Sequence, residues 1–235
     1  MHDYHFYSSS KNIQDEFIDL VEDEFKHCCR VLRYGVGDVV QIFDGSGNLY
    51  KTKIHEITKN HARCQIINII KKSSNNNFKI HLGVGLVKSK AFDLIVEQSV
   101  SLGIASFYPV ETVHSIQKSF NLERYQKKAL ESIKQSGRLL LPDLHEPHSF
   151  NQWLKTTDKI NTKLICCQHS QNKMKNIDLE NIDEIVIFIG PEGGFSDSEI
   201  NQSEKNGFRT VTLLDSRLRT ELAVITALAG IQTRR

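Results

Sequence analysis

The most constraining stretch of the chain is the apolar run Glu184-Ile185-Val186-Ile187-Phe188, followed at once by Ile189-Gly190-Pro191-Glu192-Gly193-Gly194-Phe195 and then Ser196-Asp197-Ser198-Glu199-Ile200. The run is short and rich in β-branched residues, the pattern of a buried strand. Ser196 with Glu199 three positions on is a capping box, which opens a helix. A buried strand therefore enters a glycine-rich turn and leaves it as a helix. Gly190, Gly193 and Gly194 let a ligand approach the main chain closely, and Pro191 stiffens the bend. In α/β proteins the carboxyl end of a strand is a favoured place for a small-molecule site. A strand-to-helix turn that binds nothing has the same pattern, and the turn alone does not separate the two readings.

The rest of the chain must supply a sheet for this strand. Its 235 residues suggest one or two domains, and a hydrophobic fraction of 39% supplies real cores. With a formal charge of only +2 no polybasic tail announces a nucleic-acid binder, although 30 Lys and Arg leave local basic patches open. Met1-His2-Asp3-Tyr4-His5 lacks the basic-then-apolar start of a signal peptide. No apolar run is long enough to span a bilayer, so a cytoplasmic chain without a membrane partner is expected. Four of the five cysteines sit in adjacent pairs, Cys28-Cys29 and Cys166-Cys167. That spacing fits neither a disulfide framework nor a zinc knuckle. Reduced thiols are expected, and no metal at His27 with Cys28 or at His61 with Cys64.

Phe17 to Arg33 carries a helical pattern, broken by Tyr34-Gly35-Val36-Gly37-Asp38. Strands are expected over Val39–Phe43, Leu49–Ile57 and Ala62–Ile70, with Asp44-Gly45-Ser46-Gly47-Asn48 as a hairpin turn. Short strands joined by glycine turns suggest a small β-barrel. Arg30 and Arg33 could face a phosphate backbone there, or be ordinary solvated charges. The polar stretch Lys71–Asn77 reads as a linker, giving a first domain over residues 1–72, a linker over 73–78 and a second domain over 79–235. In the second domain, strands at Lys79–Val87, Ile104–Val110, Lys163–Cys167, Glu184–Ile189 and Val211–Leu214 alternate with helices. The helices run over Ala91–Leu102, Leu122–Gln135, Phe150–Leu154, from Ser196, and over Leu218–Ile231. That alternation means an α/β fold with a largely parallel sheet.

Other motifs are weaker. Gly83-Val84-Gly85-Leu86-Val87-Lys88 resembles the start of a dinucleotide fingerprint but lacks its third glycine. There is no Walker lysine-serine pair, and no serine between the glycines of a hydrolase elbow. Arg138, after Gln135-Ser136-Gly137, either complements a helix C-terminus or holds phosphate. Leu213-Leu214-Asp215-Ser216-Arg217-Leu218-Arg219-Thr220-Glu221 joins the last strand to the last helix. It is either a salt-bridged helix start or a functional loop.

Taken together, HCCRVLRYGVGDVVQIFDGSG from His27, Ser101-Leu102-Gly103-Ile104 with Pro109, Gln135-Ser136-Gly137-Arg138, IGPEGGFSDSEI from Ile189, and Leu218-Arg219-Thr220-Glu221 resemble the ribosomal RNA small subunit methyltransferase E family, of the SPOUT class. The resemblance covers nearly the whole chain, and its most specific parts are the glycine-rich loop and the arginine-threonine-glutamate loop in that order. It departs from the family pattern at Leu214, Ser216, Arg217 and Leu222 in the last loop, at Glu97-Gln98 and Ser101, and at His114.

The resemblance implies a small PUA-like, RNA-binding β-barrel domain followed by a SPOUT-type α/β sheet domain with a C-terminal trefoil knot. It implies S-adenosylmethionine as methyl donor, N3 of a specific uridine in 16S rRNA of the small ribosomal subunit as acceptor, and a homodimer. Ile189, Gly190, Pro191, Glu192, Gly193, Gly194, Leu213, Leu214 and Leu218 would hold the cofactor. Arg30, Arg33, Lys88, Lys90 and His114 would contact RNA. Uridine N3 carries a proton at neutral pH, so Arg219 or Arg138 would stabilise the anionic base and Glu221 would accept the proton. The alternative is a non-catalytic RNA-binding or ribosome-assembly factor on the same scaffold.

Overall fold

The computed structural model describes residues 5–71, 78–116 and 120–234. By contacts the chain divides into two units, Met1–Asn76 with Ile133–Leu141, and Asn77–Ser132 with Pro142–Arg235. The expected linker lies, except for Lys71 and Phe78, outside the described residues.

The first unit holds β1 (His5–Tyr7), β2 (Ile13–Gln14), β3 (Phe17–Val21), β4 (Val39–Phe43), β5 (Leu49–Ile57) and β6 (His61–Lys71) in one sheet of order β1-β4-β5-β6-β3-β2. Its pairs are antiparallel except β1 with β4. Alternation along β5 and β6 turns Tyr50, Thr52, Ile54, Ala62 and Cys64 inward, as a half-buried strand requires. The hairpin turn after β4 is held by Asp44, whose carboxylate accepts from the Ser46 and Asn48 amides at 2.8 and 3.2 Å.

The expected helix over Phe17–Arg33 is corrected here. Its first five residues are β3, in which Ile18 and Leu20 are buried and their neighbours are not. That period of two places Leu20 opposite Ala62 of β6, and sheet pairing overrides the longer apolar pattern. Glu22, at φ 50°, turns the chain out of the strand. α1 (Glu22–Phe25) then runs into a π-helical turn over Lys26–Val31.

The second unit is an α/β layer. β7 (Lys79–Gly85), β8 (Ser106–Glu111), β9 (Asp143–Leu144), β10 (His148–Ser149), β11 (Thr162–Cys166), β12 (Glu184–Ile189) and β13 (Arg209–Val211) form a sheet of order β10-β8-β7-β12-β11-β13, with β9 also on β8. Every pair is parallel. Between them run α2 (Ser89–Ser101), α3 (Leu122–Ser136), whose residues from Ile133 on belong to the first unit, α4 (Phe150–Thr156), α5 (Asp197–Lys205) and α6 (Thr220–Gln232). β12 is central, and Ile185 to Ile189 are all buried, as expected of a parallel strand covered on both faces. Trp153 of α4 packs directly over Gly83 of β7. The last strand ends at Val211, three residues earlier than the apolar run suggests. The Thr212 amide leaves the ladder to bond Asn172 O at 2.8 Å. Among the described residues no helix is long and apolar enough to cross a membrane.

Candidate cofactor cleft at the carboxyl edge of the parallel sheet

β12 delivers Ile189 to the sheet edge, and the turn that follows closes through a Gly194 N–H to Pro191 O bond of 2.8 Å. Gly194 has φ +71°, a left-handed conformation that favours glycine. The capping box forms as written in the sequence. Ser196 Oγ accepts from the Glu199 amide at 3.3 Å, and the Ser196 amide reaches Glu199 Oε2 at 2.9 Å. Phe195 anchors the turn by packing on Phe188, with ring centroids 4.6 Å apart.

A second loop, Thr212 to Arg219, comes to the same place from β13, and the loop and the first residue of α6 are each tied across to the glycine turn. Thr220 Oγ donates to Gly190 O at 3.1 Å, and Arg217 Nη2 donates to Glu192 O at 3.1 Å. Lys173 pairs with Asp215 of this loop at 3.1 Å. The third wall is Cys166-Cys167-Gln168, at the carboxyl end of β11. Together these segments line a cleft of about 130 Å³.

Ile189, Leu213, Leu218 and Ala223 give the cleft apolar walls. Such a slot suits a flat heteroaromatic ring. Burial pushes the Cys167 thiol up to about 11, with Glu204 adding to the effect, and burial raises Cys166 as well. Both thiols are therefore neutral near pH 7 and serve as walls rather than nucleophiles.

Of the expected cofactor residues, Ile189, Gly190, Pro191, Glu192, Gly194, Leu213, Leu214 and Leu218 line this cleft. Gly193 does not; it abuts His114, whose Nδ1–H donates to Gly194 O at 3.2 Å. Arg219 is the exposed N-cap of α6, and Glu221 is half-buried in its first turn. They flank Thr220 but neither lines the cleft. Lys88 and Lys90 are exposed at the start of α2.

Arg138 is exposed in the segment that belongs to the first unit. Arg30 and Arg33 belong to that unit too. Arg30 donates to Lys59 O at 3.3 Å and lies over the Phe25 ring, while Arg33 is exposed at φ 61°. The residues not assigned from sequence are Cys166, Cys167, Gln168, Thr212, Ser216, Arg217, Thr220 and Ala223. The rule that ligands bind at carboxyl ends of strands would have found the first three.

Comparison with known proteins bears on the same segments. The family described as RNA methyltransferase domain matches residues 74–232, and that described as RNA methyltransferase PUA domain matches residues 20–67. A ribosomal RNA small subunit methyltransferase E of Rickettsia conorii is 30% identical over 233 residues, covering 96% of this chain and 93% of its own. That of Mesomycoplasma hyopneumoniae is 32% identical over 175 residues, covering 72% of this chain and 76% of its own. The crystal structure of a ribosomal RNA small subunit methyltransferase E from Neisseria gonorrhoeae, bound to S-adenosylmethionine, is 28% identical and superposes with a TM-score of 0.86. It covers 99% of this chain and 98% of that one.

Proposed function

Since the chain belongs to the ribosomal RNA small subunit methyltransferase E family, we propose that it transfers a methyl group from S-adenosylmethionine to N3 of one uridine in the 16S rRNA of the small ribosomal subunit. The observation that carries this is the apolar cleft at the ends of β11 and β12, roofed by two loops that Thr220 and Arg217 bind together. When bound, S-adenosylmethionine supplies a methyl carbon on a sulfonium, and the departing thioether is neutral. No strong acid is therefore needed to aid departure, and the protein's task is alignment. Ile189, Leu213 and Leu218 would grip the adenine, with Gly190 and Gly194 bringing main chain close to the ligand.

The acceptor N3–H must lose its proton. Arg219, beside Thr220 at the head of α6, would stabilise the negative charge that develops on the pyrimidine, a role for which Arg138 is the other candidate. Glu221 would take the proton. Arg30 and Arg33 in the PUA-type domain, with Lys88, Lys90 and His114, would hold the rRNA by its phosphates and sugars. A trefoil knot in the last strands and a homodimer in the cytoplasm complete the proposal. They are supported by the resemblance of the glycine-rich and arginine-threonine-glutamate loops to those of the SPOUT class.

Mass mapping of small-subunit rRNA from cells with and without the gene tests the reading. One uridine should lose a methyl group when the gene is removed and regain it when purified protein and S-adenosylmethionine are added. An unchanged methylation map would overturn it. Calorimetry with S-adenosylmethionine separates it from a non-catalytic assembly factor, whose cleft would take up no cofactor.

A further inference from the structure

Glu199 does more than cap α5. It is only 4% exposed, and both of its carboxylate oxygens are occupied. Oε2 accepts from the Ser196 amide at 2.9 Å and from Ser196 Oγ at 3.0 Å, which completes the capping box. Oε1 reaches 86 positions back along the chain and accepts from the Val113 amide at 2.9 Å.

Val113 sits in the turn Thr112–Ile116, which follows β8. The turn is closed by the Thr112 amide on Ser115 Oγ at 2.9 Å and by the Ile116 amide on Leu86 O at 3.1 Å. Its exposed tip is His114. A Cβ added to Gly193 would come within 2.8 Å of His114 Cβ, so the turn lies flush on the glycine turn. Since a carbonyl only accepts, His114 Nδ1 is the donor in its bond to Gly194 O.

We propose that Glu199 is a positioning residue for methyl transfer: its second carboxylate oxygen docks the Thr112–Ile116 turn on the glycine turn and so sets where His114 meets the acceptor nucleotide. The assignment rests on the function proposed above and adds a determinant to that same site. Capping does not account for the arrangement, because a capping box is served by glutamine as well as by glutamate. Here N–H donors approach both oxygens, and only a carboxylate accepts on both. Glutamine keeps one oxygen and replaces the other by an NH2 group. Whichever way that amide is turned, an N–H of Val113 or of Ser196 faces a donor.

The test compares Glu199→Gln, His114→Ala and the double variant. The readouts are cofactor Kd by calorimetry, and kcat and KM on purified small subunits. Glu199→Gln should keep cofactor Kd within about twofold and lower kcat/KM by about tenfold, the scale of one buried donor left without an acceptor. In the His114→Ala background the same change should cost little, because the two residues act through one turn. The Val113 amide should also exchange faster with solvent in Glu199→Gln.

Losses that simply add in the double variant would overturn the assignment. So would turnover equal to that of the unaltered protein. A fall in cofactor affinity matching the fall in turnover would mean that Glu199 only shapes the glycine turn, and would overturn it as well. If the unaltered protein methylates no subunit at all, the functional reading fails. If it methylates and Glu199→Gln matches it, only this assignment fails.

Discussion

Substituting alanine at Gly85, which does not itself line the cleft, should weaken cofactor binding by pushing on Pro191 from beneath. A Cβ at Gly85 would lie 2.4 Å from Pro191 Cδ and 2.8 Å from Pro191 N. The closer contact is a full ångström inside the 3.4 Å at which ordinary contact begins. Pro191 cannot rotate aside, because its ring is closed on the main chain. The glycine turn must therefore move by up to about 1 Å, a misplacement that can lower turnover by about a hundredfold. Overpacking of this kind costs roughly 1–3 kcal/mol of stability, and each kcal/mol lowers Tm by about 2–4 °C in a chain of this size.

Gly83, two residues earlier on β7, supplies the control. A Cβ there would lie 2.5 Å from Trp153 Cζ2, an equal overlap directed at a buried indole instead of the turn. Both variants should lose comparable Tm. By calorimetry with S-adenosylmethionine, only Gly85→Ala should lose at least about tenfold in affinity. Equal affinities for the two variants, with equal Tm losses, would refute the reasoning.

Three further outcomes are expected. Thr220→Val keeps the side-chain shape but leaves Gly190 O without its 3.1 Å donor; stability should fall by about 1 kcal/mol and cofactor Kd should rise, as read by thermal melts and calorimetry. Arg219→Ala should lower turnover much more than cofactor affinity in single-turnover assays, because Arg219 stands at the N-cap position of α6, next to cleft-lining Thr220, without lining the cleft itself. Burial lowers the His81 and His145 imidazoles from the ordinary value of 6.5; Glu184 opposes the shift at His81, while His148 reinforces it at His145. Below that value the unfolded chain binds protons that the native rings refuse, so stability should fall as pH drops and level off only beneath the native values. Urea titrations at about pH 7.5 and 5.5 should show the drop, and His81→Gln should reduce it.

The sequence is most legible where one local pattern dominates. Leu49–Ile57 is an alternating strand at its observed bounds, and the Ser196–Glu199 box starts α5 where the spacing puts it. Phe17–Val21 misleads because five residues of alternation sit inside a longer stretch that also satisfies a helical period, and only pairing with β6 decides between them. The cleft was half legible. Its glycine turn is contiguous in sequence, so its residues announce themselves together. Cys166 to Gln168 stand at the carboxyl end of a strand that the sequence shows, but no local pattern encodes that β11 lies beside β12 in the strand order. Thr220 and Arg217 bind the two loops through main-chain acceptors at Gly190 and Glu192, and a carbonyl leaves no mark on the sequence.

Gly83 and Gly85 carry the same lesson in reverse. Spaced as Gly-Val-Gly after an apolar run, they resemble the opening of a phosphate-binding fingerprint, in which glycine lets a ligand reach the main chain. Neither lines the cleft, and neither has a positive φ. What each one lacks is room for a Cβ. Trp153 occupies that space at Gly83, and Pro191 occupies it at Gly85. Glycine at Gly85 is thus demanded by the turn 106 residues later, which can sit low over the edge of β7 only because no side chain rises there. The two glycine groups act as one device: the bare strand lets the turn settle, and the settled turn exposes its main chain to the ligand.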